Sequence, residues 1–194
     1  MTSFFAVLTI VTIAAVTPGP NNFIVMSAAA RGGAAAALPA IAGVIGGSIA
    51  LLVLIWAGAG PLFEAAPEVQ TLLRIAGATY LVWLGFSLIR AARQPAEEAE
   101  TSSLPETTLG VASFQLLNPK SWVLVITAIS AMGSTANGVI SLVAIFVVVM
   151  GICLTLWSVA GRLISHLLVE PRYRQIFDTV MGGLLIASAA MLLA

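Results

Sequence analysis

From Leu38 to Gly60 the chain carries no charged residue, and a run of that length and composition belongs in a bilayer. The hydrocarbon core of a membrane is about 30 Å thick and takes roughly 20 apolar residues of helix. Within it every backbone N–H and C=O must find a partner in the protein, which leaves helices or closed barrels. Apolar runs without period-two alternation argue against the barrel. Five more such runs lie at about Phe4–Ala30, Leu72–Ile89, Leu109–Met132, Val139–Val159 and Ile176–Leu193. The chain therefore reads as an all-α integral membrane protein with six transmembrane helices. Only 8% of its 194 residues are charged, against about 25% in a soluble domain, so no soluble catalytic domain fits. Zero net charge gives no basic surface for nucleic acid. With no phosphate loop, metal-ligand cluster or nucleophile elbow in sight, no cofactor and no enzyme activity are expected. The single cysteine, Cys153, cannot form an internal disulfide.

Two of the six spans are interrupted. The first contains Thr17-Pro18-Gly19-Pro20-Asn21-Asn22, and the fourth contains Asn118-Pro119-Lys120 near its middle. A proline removes one helical hydrogen bond and frees a carbonyl. A lysine near the bilayer centre costs roughly 2.5–3.5 kcal/mol on insertion scales. The two defects side by side point to a cavity or a partner, because irregular backbone at membrane depth is tolerated only there.

Arginines set the orientation. The connections after spans one, three and five hold Arg31, Arg90, Arg93, Arg162, Arg172 and Arg174, whereas the other side has only Arg74, with Glu64 and Glu68 close by. Those three connections are expected in the cytoplasm and both termini on the periplasmic side. The longest connection is acidic in its middle, with Glu97, Glu98, Glu100 and Glu106, and reads as a cytoplasmic linker over residues 94–108. It separates a first three-helix repeat, residues 1–93, from a second, residues 109–194. Three spans per half require the halves to be inverted, and each half opens on a broken helix. Paired broken helices in inverted repeats are a transporter architecture, with substrate bound near the midplane at half-helix ends. An N-terminal half-helix end suits a carboxylate, and Lys120 adds a full positive charge.

At these motifs the chain resembles the LysE/RhtB family of bacterial amino-acid exporters. The resemblance rests on TPGPNNFIVMSAAARGG near the start and FQLLNPKSWVLV opening the second half. AGATYLVWLGFSLIRAA and the terminal MGGLLIASAAMLL support it, so that nearly the whole chain is covered. It implies a multi-pass protein of the bacterial inner membrane that exports amino acids by an ion gradient, with protons the expected coupling ion. The motif residues carried over are Pro18, Gly19, Pro20, Asn21, Asn118, Pro119 and Lys120. Some members, notably exporters of basic amino acids, carry an acidic residue in the second span. Here that stretch reads Gly43-Val44-Ile45-Gly46-Gly47-Ser48, which favours a neutral, small, threonine- or homoserine-like substrate.

The expected mechanism is alternating access. The substrate carboxylate meets Lys120 and the backbone at the two breaks. Asn21, Asn22 and Asn118 supply neutral hydrogen bonds, and Trp122, two residues past the lysine, is a candidate wall. Asp178, at the start of span six, is either interfacial, a partner of Lys120 or the coupling carboxylate. Gly43 and Gly47, like Gly183 and Ala187, have the spacing of close helix packing, internal or in a homodimer. The alternatives are export of another small solute or a metal cation, or a membrane subunit without transport of its own.

Overall fold

The computed structural model describes residues 2–93 and 107–193, and these are almost entirely helical, with no strand among them. The helices are α1 (Thr2–Val16), α2 (Pro20–Gly32), α3 (Leu38–Leu54), α4 (Gly60–Ala65) and α5 (Pro67–Ala92). After residues 94–106, which lie outside the described residues and hold most of the expected acidic linker, come α6 (Thr108–Leu117), α7 (Pro119–Met132), α8 (Ala136–Ile164) and α9 (Pro171–Leu193).

Three segments are long and apolar enough to cross a membrane unbroken, Ala34–Ala59, Pro67–Ala92 and Ala136–Ile164. Phe4–Val16 and Pro20–Gly32 qualify together, bent by 51° at the break. The α6 and α7 helices are each short, and their 10 and 14 residues reach across only as a pair at about 1.5 Å per residue. The α9 helix carries Arg172, Arg174 and Asp178 in its first turns and is apolar beyond them. The outer surface keeps large apolar side chains exposed, among them Ile13, Leu72, Phe86, Ile152 and Leu156. A soluble bundle does not tolerate such a belt, whereas lipid covers it. In α1 the inward stripe is Val7, Val11 and Ala15, all buried at the four-residue spacing of one helix face.

Packing is crosswise between the two halves of the chain. The broken pair α1/α2 lies mainly on α8, α3 lies mainly on α6, and α5 lies on α9. Each second half-helix starts with a proline at its first position, Pro20 or Pro119, and ends on a glycine with positive φ, Gly33 at 82° or Gly133 at 87°. Glycine adopts that conformation without the steric cost a Cβ would bring.

Small residues set the closest approaches. A Cβ on Gly43 would stand 2.6 Å from the Thr108 carbonyl, and one on Gly47 2.8 Å from that of Ala112. This pair therefore serves internal packing of α3 on α6. In α9 the packing glycine is Gly182, not Gly183. A Cβ on Gly182 would meet the Gly85 carbonyl and Ile89, and one on Gly85 the Gly182 carbonyl and Ile186. Gly183 has open space beside it and Ala187 is exposed, so this pair does not serve packing inside the bundle. The Gly85–Ile186 and Gly182–Ile89 contacts can coexist only if α5 and α9 run antiparallel. The end of α5, with Arg90 and Arg93, therefore lies beside the start of α9. Gly161 sits against the Met26 backbone, which brings Arg162 to the Arg31 end of α2. The six arginines of the three expected cytoplasmic connections thus gather at one end of the bundle.

Candidate functional site

The two helix breaks meet. In the first, the Thr17 N–H makes the last helical bond of α1, to the Ile13 carbonyl at 2.9 Å, and Gly19 is extended. Asn22 braces this break. Its Nδ2 donates to the carbonyls of Ala15 (3.1 Å) and Thr17 (2.9 Å), which lie at the break. In the second break, Asn118 caps α7 by accepting from the Lys120 N–H at 3.1 Å. The Leu116 carbonyl, which Lys120 N–H would serve in an unbroken helix, takes the Trp122 indole N–H at 2.9 Å instead.

Between the breaks is a cavity with an interior volume of about 50 Å³. One water needs about 10–15 Å³ on that measure, so the space suits the polar head of a small molecule. Gly19, Pro20, Asn21, Asn22, Asn118 and Lys120 line it, together with Ser48, Gln115 and Ser121, and apolar walls come from α7 and α8. Among the described residues Lys120 is the only charged one in the lining. Its Nζ reaches back across the break to the Ala14 carbonyl at 3.4 Å and lies 3.7 Å from where a Cβ of Gly19 would be.

The α2 N-terminus beside it has no side-chain cap, and Pro20 occupies its first position. The helix dipole and the first-turn N–H groups there attract an anion. At α7 the equivalent groups are spent, since Asn118 takes the Lys120 N–H through its side chain and the Ser121 N–H through its carbonyl at 2.9 Å. An anion is therefore offered Lys120 and the α2 end, rather than both half-helix ends.

Gln115 is the residue that sequence reasoning passed over. It is fully buried and ties four elements together. Its Nε2 donates to Ser48 Oγ (2.9 Å) and the Val44 carbonyl (3.2 Å), while its Oε1 accepts from Asn21 Nδ2 and Ser121 Oγ, both at 3.0 Å. Asn21 Oδ1 is left buried without a hydrogen-bond partner. The signal was available, because a glutamine amide inside an apolar run needs partners as surely as a lysine does.

Other expectations shift. Trp122 is buried in the core and caps the Leu116 carbonyl, and neither it nor Pro18 is part of the cavity lining. Asp178 pairs with arginines and not with Lys120. It is 1% exposed and bonded to Arg31 at 2.5 Å, with Arg174 at 3.9 Å. Among the described residues no group of three or more His, Cys, Asp or Glu side chains is placed to hold a metal.

Helices that break in pairs around a polar cavity inside an apolar bundle are the architecture of a multi-pass membrane transporter. The chain matches the family model "LysE type translocator" over residues 12–194 and belongs to that family. A cysteine/O-acetylserine efflux protein of Escherichia coli O139:H28 (strain E24377A / ETEC) is 30% identical over 187 residues, covering 91% of this chain and 90% of its own length. The proteins of the same name from Escherichia coli strain K12 and Shigella flexneri serotype 5b are 29% identical over the same span. No solved structure matches the chain.

Gly19 yields a direct test of the anion site. Its φ of −166° is open to any residue, and an added Cβ makes only ordinary contacts. Gly19→Ala is therefore expected to insert and fold normally while its methyl occupies space beside Lys120 Nζ. Losing one charge-assisted contact of about 1.5 kcal/mol predicts a roughly tenfold weaker apparent substrate affinity, read from the concentration dependence of transport.

Proposed function

We propose that the chain is a secondary active exporter of small neutral amino acids across the bacterial inner membrane. The observation that carries this reading is a single cation, Lys120, set among neutral polar side chains in one cavity. Lys120 and the uncapped α2 end take the substrate carboxylate, and the neutral polar lining takes its ammonium. Among the described residues the lining holds no carboxylate to partner a cationic side chain. The small volume favours short side chains. The cysteine/O-acetylserine efflux relatives favour a substrate of that size and polarity, and threonine and homoserine fall in the same class.

The mechanism we infer is alternating access between two inverted three-helix repeats. Crosswise packing and the matched proline and glycine positions of the two halves support the repeat. The arginines at one end support cytoplasmic placement of that end, with both termini periplasmic. There the Arg31–Asp178 pair holds α2 against α9 and closes the inner side. Protons are the coupling ion, with Asp178 the carboxylate that takes them up: protonation removes the charge that Arg31 binds.

The test is efflux from cells expressing the chain and loaded with mixed dipeptides, which hydrolyse inside to many amino acids. Selective release of cysteine, O-acetylserine, threonine or homoserine, with lysine and arginine retained, is the expected outcome. Release indistinguishable from cells lacking the protein, at confirmed expression, refutes the reading.

A further inference from the structure

We propose that Trp56 is a positioning residue that fastens the end of the bundle opposite the arginines, and so sets how readily that end opens during transport. This deepens the alternating-access reading above and rests on it. The α3 helix follows α2 at the arginine end and belongs to a segment, Ala34–Ala59, long enough to cross the membrane, so its far end lies at the other side. There the helix widens into a π-helical turn, Ile55–Ala59, in which Gly58 takes a φ of 110°. Such turns recur at functional sites. Trp56 lies in this one and donates its indole N–H to the Ser134 carbonyl at 2.9 Å. Ser134 follows Gly133, the positive-φ residue that ends α7. The bond therefore crosses from the first half of the chain to the second. An indole that only anchors a helix at the membrane surface needs no such partner.

The arginine end carries the matching arrangement. Gly33 ends α2 with a similar φ, and the carbonyl of the next residue, Ala34, accepts from the hydroxyl of Ser158, late in α8, at 3.5 Å. In each case the glycine turn that closes a half-helix is held by the second span of the opposite half. Inversion of the halves puts the two bonds at opposite ends. The ends differ in their support. At the arginine end Ser158 is buried, Gly161 is pressed against the Met26 backbone and the Arg31–Asp178 pair adds to the tie. At the other end Trp56 is exposed, so its bond is the more easily exchanged. Halves that rock about a central site must break whatever joins them at the end that opens. A contact made in one state and lost in the other biases the equilibrium between them by its own worth. For one neutral hydrogen bond that bias is about two- to tenfold.

The experiment reads each end separately. Ala29 in α2 and Ala128 in α7 are both buried, and each occupies the same place counted from the proline that starts its half-helix. A cysteine is put at one or the other in the full-length protein, with Cys153 replaced by alanine, and labelled by a membrane-impermeant maleimide in vesicles of both orientations. Trp56→Phe keeps an aromatic ring and removes the N–H. It is expected to speed labelling of Ala128→Cys, from the end opposite the arginines, by about two- to tenfold. Labelling of Ala29→Cys from the arginine end is expected not to rise. Faster labelling at both ends is general loosening and overturns the proposal, as does an unchanged rate at Ala128→Cys. Gly58→Ala gives a second arm should Trp56→Phe fail to insert, because a Cβ strains that φ and disturbs the turn that aims the indole. It must shift the same rate in the same sense, and a rate like that of the parent overturns the proposal. Vesicles of the parent protein that move no amino acid refute the exporter reading, and the proposal with it. Transport by the parent, with labelling at Ala128→Cys indifferent to both variants, refutes the proposal alone.

Discussion

Lys120→Ala is expected to lower export by roughly 10- to 150-fold, while the protein reaches the membrane as abundantly as the wild type. The two halves of this expectation come from different physics. Removing a lysine from mid-membrane relieves an insertion cost of roughly 2.5–3.5 kcal/mol, so assembly gains rather than loses. The side chain also does little for the fold. It is exposed, and its one side-chain hydrogen bond is the long one to the Ala14 carbonyl. Transport loses heavily because a hydrogen bond to a charged group is worth about 1.5–3 kcal/mol, and each 1.4 kcal/mol is about tenfold. Among the described residues no second cation lines the cavity to take over. The measurement is efflux alongside membrane abundance, with Lys120→Arg as the intermediate case, since the guanidinium keeps the charge but not the compact geometry. Normal export by the alanine variant would remove the carboxylate site altogether.

The breaks were legible because proline acts locally. Pro20 and Pro119 lack the N–H that an unbroken helix requires, and α2 and α7 begin on those residues. The long apolar runs were legible because lipid requires them, and the fourth expected segment, Leu109–Met132, falls on α6 (Thr108–Leu117) and α7 (Pro119–Met132) together. What remained hidden depends on contacts far apart in the chain. Gln115 meets Asn21, Ser48 and Val44 from 94, 67 and 71 residues away. Asp178 meets Arg31 across 147 residues. The choice between Gly182 and Gly183 turns on a single step of helix phase, about 100° of rotation, and only the partner helix decides it. The uses of the three asparagines were equally illegible. All three looked like candidate ligands, yet Asn22 braces α1 and Asn118 caps α7, leaving Asn21 with a free atom.

Arg31→Ala is expected to be far more damaging than Asp178→Asn, although both break the same pair. Asp178 is the buried partner, at 1% exposure against 30% for Arg31. Removing the arginine strands a charge in the interior, for which breaking a buried pair costs about 3–5 kcal/mol. The lower end applies here, about 3 kcal/mol, because Arg31 is partly solvated and Arg174 stays within 3.9 Å of the carboxylate. Asparagine leaves no charge to strand, so Asp178→Asn should cost only about 1 kcal/mol, the worth of an ordinary hydrogen bond. Thermal unfolding in detergent would read this order, and equal losses would mean that the pair is not buried as a charge. The same two variants separate structure from mechanism. If the pair closes the inner side, both should open it, and a cysteine placed at the fully buried Ala29, with Cys153 replaced by alanine, should react several-fold faster with a maleimide applied from the arginine end. Asp178→Asn also imitates the protonated acid permanently. Export by that variant should no longer respond to an imposed pH gradient, even where its rate without a gradient survives. A gradient response like that of the wild type would leave the pair as a fastening between α2 and α9 and move the coupling proton elsewhere.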